Sequence, residues 1–191
     1  PPTQGVCCEC EASLREQGRC PFSVRCRSAW FCPHAKRCIV CDAHSCERCR
    51  LQRGGPELVA TLAKELRPAR ILLDFDRTLA STRSGGLPIF GKHSCDEELL
   101  TLLWEHRSCC AIVTRNSHRA AIGDFLRAHG APPEIPVHVV QKGCSKAEFI
   151  CEGVAEGELA LFVDDSVLEH VDPRIAGDES VCRVLFVRGL L

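Results

Sequence analysis

Asp74-Phe75-Asp76-Arg77-Thr78-Leu79 places two carboxylates two residues apart, directly behind the apolar run Ala69-Arg70-Ile71-Leu72-Leu73. A run that short and branched reads as a buried strand, and side chains two apart on a strand point to the same face. Asp74 and Asp76 would therefore converge at the carboxyl end of the strand, where open parallel sheets bind ligands. Two carboxylates held together repel unless a cation lies beside them. A magnesium ion between carboxylate and phosphate would relieve that repulsion. One such D-x-D-x-T stretch could also be a strand ending in a solvated acidic turn, so its meaning depends on what else arrives at the same end.

Three further segments arrive in order. Cys109-Cys110-Ala111-Ile112-Val113 reads as a strand that delivers Thr114, followed by Arg115-Asn116-Ser117. Val137-His138-Val139-Val140 leads into Gln141-Lys142-Gly143-Cys144-Ser145-Lys146, and Leu159-Ala160-Leu161-Phe162-Val163 ends in Asp164-Asp165-Ser166. Helical patterns over 96–106, 118–129 and 146–154 separate them. Strands alternating with helices imply βαβ units and a parallel sheet, with every strand presenting its functional residues at one end.

Asp74-x-Asp76-x-Thr78, Thr114, a lysine at Lys146 or Lys142, and Asp164-Asp165 together resemble the haloacid dehalogenase (HAD) superfamily of phosphohydrolases, over about residues 69 to 187. The resemblance implies a doubly wound, mostly parallel five-stranded α/β sheet, with Val181 to Val187 as the last strand. It further implies Asp74 as nucleophile and Asp76 as general acid/base, with Thr114 and Lys146 binding the phosphoryl group. Magnesium would be held by Asp74, the Asp76 carbonyl and Asp164, with Asp165 assisting through water. Lys142 is the alternative lysine. Asn116 and Ser117 are expected to cap the following helix, and Asp172 and Asp178 to be turn residues.

The interval between Asp76 and the helix from Asp96 holds Gly85-Gly86, Pro88 and Gly91, room for a hairpin flap only. By resemblance, a member without a cap tends to act on a macromolecule, such as a phosphoprotein or a nucleic-acid end. Arg77, Arg83, Lys92 and Arg115 would lie near the mouth, either recognising acidic groups or forming an ordinary charged rim.

The first fifty residues differ in kind. They hold Cys7, Cys8, Cys10, Cys20, Cys26, Cys32, Cys38, Cys41, Cys46 and Cys49, out of 16 cysteines in all, with His34 and His44 and few aliphatic residues. Such a segment cannot build a core from apolar burial and needs cross-links. Cys-x-x-Cys pairs at 7/10, 38/41 and 46/49 suit tetrahedral zinc and fit disulfides poorly. A RING-type spacing would put Cys7, Cys10, Cys38 and Cys41 on one ion, and Cys32, His34, Cys46 and Cys49 on another. Cys8, Cys20, Cys26 and His44 are left over, so three sites and other pairings stay open. Two or more structural zinc ions are expected.

Composition fits a cysteine-rich module over 1–52, a linker helix over 53–68 and an α/β domain over 69–191, a division within ordinary domain sizes. The join Gln52-Arg53-Gly54-Gly55-Pro56 reads as a loop leading into a helix from Glu57 to Leu66. Net charge is −1, against a strong polyanion-binding field over the whole surface. The cysteine-rich part is locally basic, through Arg15, Arg19, Arg25, Arg27, Lys36, Arg37, Arg48, Arg50 and Arg53, which keeps nucleic acid among the partners. No apolar run approaches membrane-spanning length. No secretory leader is visible, and cysteine usage points to a reducing intracellular compartment, cytoplasm or nucleus. Two classes of function follow. One is a magnesium-dependent phosphatase acting on a macromolecule. The other is a non-catalytic zinc-finger subunit that keeps the fold as scaffold. A RING-like ubiquitin ligase is a third reading.

Overall fold

Apolar, β-branched runs bounded by polar turns become the strands of one sheet. The computed structural model describes residues 31–32, 37–38, 51–141, 143–150, 152 and 154–189. Two short strands, β1 (Phe31–Cys32) and β2 (Arg37–Cys38), pair antiparallel. The main sheet is built from β3 (Leu51–Gly54), β4 (Arg70–Leu73), β5 (Cys110–Thr114), β6 (Val137–Val139), β7 (Ala160–Asp164) and β8 (Val181–Phe186). Its order is β3-β8-β7-β4-β5-β6, and every pairing in it is parallel. β4 is central. From it the chain builds outward through β5 to β6, then crosses back to β7 on the other side. The direction of building therefore reverses at β4, and ligand crevices form at such a switch point.

The helices are α1 (Pro56–Leu66), α2 (Glu97–Glu105), α3 (Arg119–Ala128), α4 (Ala147–Ile150), α5 (Val167–His170) and α6 (Pro173–Ala176). Strand alternation divides the core in two. Ile71 and Leu73 of β4 pack with Val59, Leu99, Leu103, Ile122 and Phe125 of α1, α2 and α3. Leu72, between them, faces Ala147, Ile150 and Ile175 of α4 and α6. Asp96 caps α2 by accepting the Leu99 N–H at 3.1 Å. That bond satisfies one of the donors left free at the start of a helix. No described helix is long and apolar enough to cross a membrane.

The sheet has six strands where five were expected. The sixth is β3, read from sequence as a loop, and the boundary drawn at 52/53 falls inside it. Pairing with β8 explains the difference. Leu51 lies opposite Arg183 and Gly54 opposite Phe186, and Gly54 O accepts the Val187 N–H at 2.9 Å. Glycine at 54 has a packing reason, because a Cβ there would come within 2.6 Å of Leu58 Cδ2. Parallel pairing also fixes the direction of entry. The chain reaches the sheet at Leu51, on the amino-end side, opposite the end that carries Asp74. The loop after β7, read as turns around Asp172 and Asp178, contains α5 and α6. Asp172 does cap α6, accepting the Arg174 N–H at 3.0 Å, and Asp178 accepts from Ser180 N at 2.9 Å.

Of the proposed zinc ligands, Cys7, Cys10, His34, Cys41, Cys46 and Cys49 lie outside the described residues. For Cys32 and Cys38 only the backbone is described, as parts of β1 and β2.

Candidate active site

β4 ends at Leu73, and the next residue, Asp74, is still tied to the sheet through its N–H to Val163 O at 2.8 Å. The chain then turns sharply. Leu79 N reaches Asp74 O at 3.4 Å and Ala80 N reaches Phe75 O at 2.8 Å. Arg77 takes a left-handed backbone conformation with φ 59° to make the turn. A non-glycine residue in that region is strained, and strain of this kind clusters at functional sites. Asp74 and Asp76 are both buried.

Lys146 lies between the two neighbouring strand ends. Its Nζ is 2.6 Å from Asp74 Oδ1 at the end of β4 and 2.6 Å from Asp164 Oδ2 at the end of β7. The lysine is 2% exposed, so the two bonds replace nearly all of its hydration. Burial alone would lower the lysine pKa. The charges of Asp164 and Asp74 outweigh it and hold the ammonium well above its ordinary value. Lys142, the alternative, lies outside the described residues.

The balance is opposite for the carboxylates. Burial and the charge of Asp164 raise Asp74 well above the ordinary carboxylate range, although Lys146 opposes them. Burial and Asp164 likewise push Asp165 up to about 6, with Arg77, 3.9 Å away, pulling the other way. Carboxylate oxygens of Asp74, Asp164 and Asp165 lie within 4.8 Å of one another, the one group among the described residues that could hold a metal ion. Asp74 and Asp164 share the one buried ammonium and Asp165 has only the exposed Arg77 guanidinium nearby, so positive charge is in deficit among these groups. The donors are all hard oxygens, the set that suits magnesium.

Asp76 is held by a different group. Thr82 Oγ1 donates to Oδ1 at 2.6 Å and Gly85 N to Oδ2 at 2.6 Å, both from the loop after β4. Asn116 Nδ2 lies 3.0 and 3.1 Å from the two oxygens and also donates to Gly86 O at 2.7 Å. Thr114 Oγ1 accepts the Asn116 N–H at 3.1 Å, which leaves its own proton free to donate.

Of the residues expected to converge, the structure brings Asp74, Lys146, Asp164 and Asp165 together at the ends of β4 and β7, holds Asp76 two residues beyond Asp74 through Asn116, and places Thr114 at the end of the adjoining β5. Sequence reasoning missed one partner and gave two others different roles. Asn116 was read as a helix cap. Its Oδ1 does accept the His118 N–H at 3.0 Å, but its amide binds Asp76. The available signal was its position two residues beyond Thr114, on the same side of the chain. His170, unremarked in sequence, is fully buried, and its Nε2 lies 2.9 Å from Asp164 O. Burial drives its pKa down to about 3, so the ring is neutral. Arg115 was expected near the mouth, either recognising acidic groups or as part of an ordinary charged rim. Instead it grips Glu169 with Nε and Nη2, and gives a further bond to Cys144 O at 3.2 Å. That fork ties the loop carrying Lys146 to the segment that follows Asp164.

Comparison with protein-family models, curated proteins and solved structures finds no match to this chain.

Proposed function

We propose that the chain is a magnesium-dependent phosphohydrolase that works through an aspartyl-phosphate, on a phosphate carried by a macromolecule. The observation that carries this reading is Lys146 Nζ at 2.6 Å from both Asp74 and Asp164, with Asp165 alongside, at the switch point of a parallel sheet. A merely structural ion pair needs one carboxylate. This pocket gathers three, and keeps Asp76 next to them under separate control. The strand order around β4, together with Thr114 at the end of the adjoining β5 and Lys146 just ahead of α4, fits the HAD resemblance.

Asp74, Asp164 and Asp165, with the Asp76 carbonyl, would hold magnesium. The ion would supply the missing positive charge, favouring ionised Asp74 and neutralising the phosphoryl oxygens. Asp74 attacks phosphorus, forming the Asp74 O–P bond as the ester P–O bond breaks. Asp76 gives its proton to the leaving oxygen. Asp76 then takes a proton from water, which attacks the same phosphorus and releases phosphate and free Asp74. Thr114 and Lys146 donate to the phosphoryl oxygens, whose charge shifts during transfer. Asn116, Thr82 and Gly85 N aim the Asp76 carboxylate; to act as the acid, Asp76 must give up at least one of these bonds.

The loop over 80–93 is short and leaves the crevice without a cap, which supports a large substrate over a small metabolite. The cysteine-rich segment is proposed to carry two or more structural zinc ions. The test is hydrolysis by the full chain with magnesium, over p-nitrophenyl phosphate, phosphopeptides and phosphorylated oligonucleotides, for the parent and Asp74→Asn. The carboxamide is near-isosteric, still accepts from Lys146, and is a poor nucleophile. Turnover should be lost while the thermal transition is retained. Equal rates for the two proteins would remove Asp74 from the mechanism.

A further inference from the structure

Leu87, Ile89 and Phe90 are 50%, 44% and 62% exposed, three large apolar side chains within four consecutive residues. Soluble surfaces tolerate scattered apolar residues, but a contiguous exposed group marks a contact site. The loop that carries them is built, not slack. Its base is closed by Ser81 N to Ser94 O at 2.9 Å and by Asp96 N to Leu79 O at 2.8 Å. Its tip is closed by Ile89 N to His93 Nδ1 and by His93 N to Ile89 O, each at 3.0 Å. Phe90 rests against the His129 ring at 5.0 Å between centroids, and Gly130 O in turn holds the exposed Trp104 through Nε1 at 2.8 Å. The loop backbone is therefore held in place, with these apolar side chains exposed, before anything binds.

The same loop is joined to the candidate acid. Thr82 and Gly85 bind the Asp76 carboxylate, and Asn116 binds Gly86 O, one residue before Leu87. From Arg77 to Cys95 the chain carries Arg77, Arg83 and Lys92 and no acidic residue, and all three cations are exposed. An apolar strip edged with positive charge, continuous with a phosphate site, complements a ligand that is apolar beside its negative charge.

Resting on the phosphohydrolase reading, we propose that residues 81–94 are the docking surface for polypeptide flanking a phosphorylated residue. Leu87, Ile89 and Phe90 receive a large apolar side chain close to the phosphate, while Arg83 and Lys92 meet phosphate or neighbouring carboxylates. Phosphoprotein fits better than a nucleic-acid end. Of the three, only Phe90 offers a ring on which a base could stack, and single-strand binders rely on successive aromatic platforms and a strong basic groove. Contacts remote from the reacting phosphorus would supply the orientation that the open crevice does not.

The test uses the full chain with magnesium and two phosphopeptides that differ only in their residues beside the phosphate, Leu and Phe in one and Ser in the other. p-Nitrophenyl phosphate serves as an ester without flanks, and a 5′-phosphorylated oligonucleotide as the rival class. The apolar peptide should be preferred about tenfold in kcat/KM, equivalent to about 1.4 kcal/mol. Phe90→Ser and Ile89→Ser should each shrink that preference to within about twofold. Equal kcat/KM for the two peptides, an unchanged preference in both variants, or a preference for the oligonucleotide would overturn the docking surface while leaving the phosphohydrolase reading intact. Failure to hydrolyse any of the four, p-nitrophenyl phosphate included, would overturn both.

Discussion

Replacing Lys146 by Met removes one charge and little volume, and the structure sets the cost. Lys146 is 2% exposed and is bonded at 2.6 Å to Asp74 and to Asp164, whose side chains are 8% and 1% exposed. Breaking a buried ion pair by deleting one partner costs about 3–5 kcal/mol, because the remaining charge stays buried and uncompensated. In a chain of this size about 1 kcal/mol corresponds to roughly 2–4 °C, so Tm at pH 7.5 should fall by roughly 6–20 °C. The sign of the pH dependence follows from proton uptake. In the parent, the folded-state pKa of Lys146 is raised, so its contribution is fully present below the unfolded lysine value and is lost only in strong alkali. In the variant, Asp74 and Asp165 keep the causes that raise them, burial and Asp164, and lose the cation that lowers them. The folded variant then binds protons more tightly than the unfolded chain, so its stability falls as pH rises from about 4 to neutrality. The deficit against the parent should thus be largest near pH 8 and shrink toward pH 5. Thermal unfolding without magnesium, followed by circular dichroism over that range, measures it. An unchanged Tm at pH 7.5, or a deficit constant from pH 8 to pH 5, would refute the reasoning.

Arg115→Lys keeps the charge but loses the fork that binds Glu169 and Cys144 O together. It should lower kcat several-fold with KM for p-nitrophenyl phosphate little changed, and an unaltered kcat would show that the fork does not position Lys146. Freshly reduced full-length protein should contain at least two zinc ions per chain by elemental analysis, and fewer than two would rule out the cross-linked module. Magnesium should raise Tm more strongly as pH rises through about 6, because Asp165 must lose its proton to bind the ion. A magnesium effect that is flat over pH 5–8 would remove Asp165 from the metal site.

The central strands were readable because a strand buried on both faces needs an unbroken apolar run, as in Ile71-Leu72-Leu73 and Leu161-Phe162-Val163. Asp74, Thr114 and Asp164 were readable for a related reason: each sits where such a run stops. β3 was hidden by its composition. Gln52-Arg53-Gly54 has the composition of a turn, and only its pairing with β8, more than a hundred residues away, makes it a strand. α5 and α6 are single turns, too short to show a helical period, and α4 was drawn longer than its four residues. The Arg115–Glu169 fork joins side chains 54 residues apart, and no local spacing reports such a partner. Asn116 shows a further limit, since one side chain both turns the chain into α3 and binds Asp76.

The most direct measurement is chemical trapping of the covalent intermediate. The full chain is mixed with a hydrolysed phosphoester and magnesium, acid-quenched within a turnover, and reduced with borohydride, which converts an aspartyl-phosphate to homoserine. Peptide mapping by mass spectrometry should find homoserine at position 74, and nowhere when substrate or magnesium is withheld. Steady turnover with Asp74 unmodified, or modification at another residue, would contradict the account.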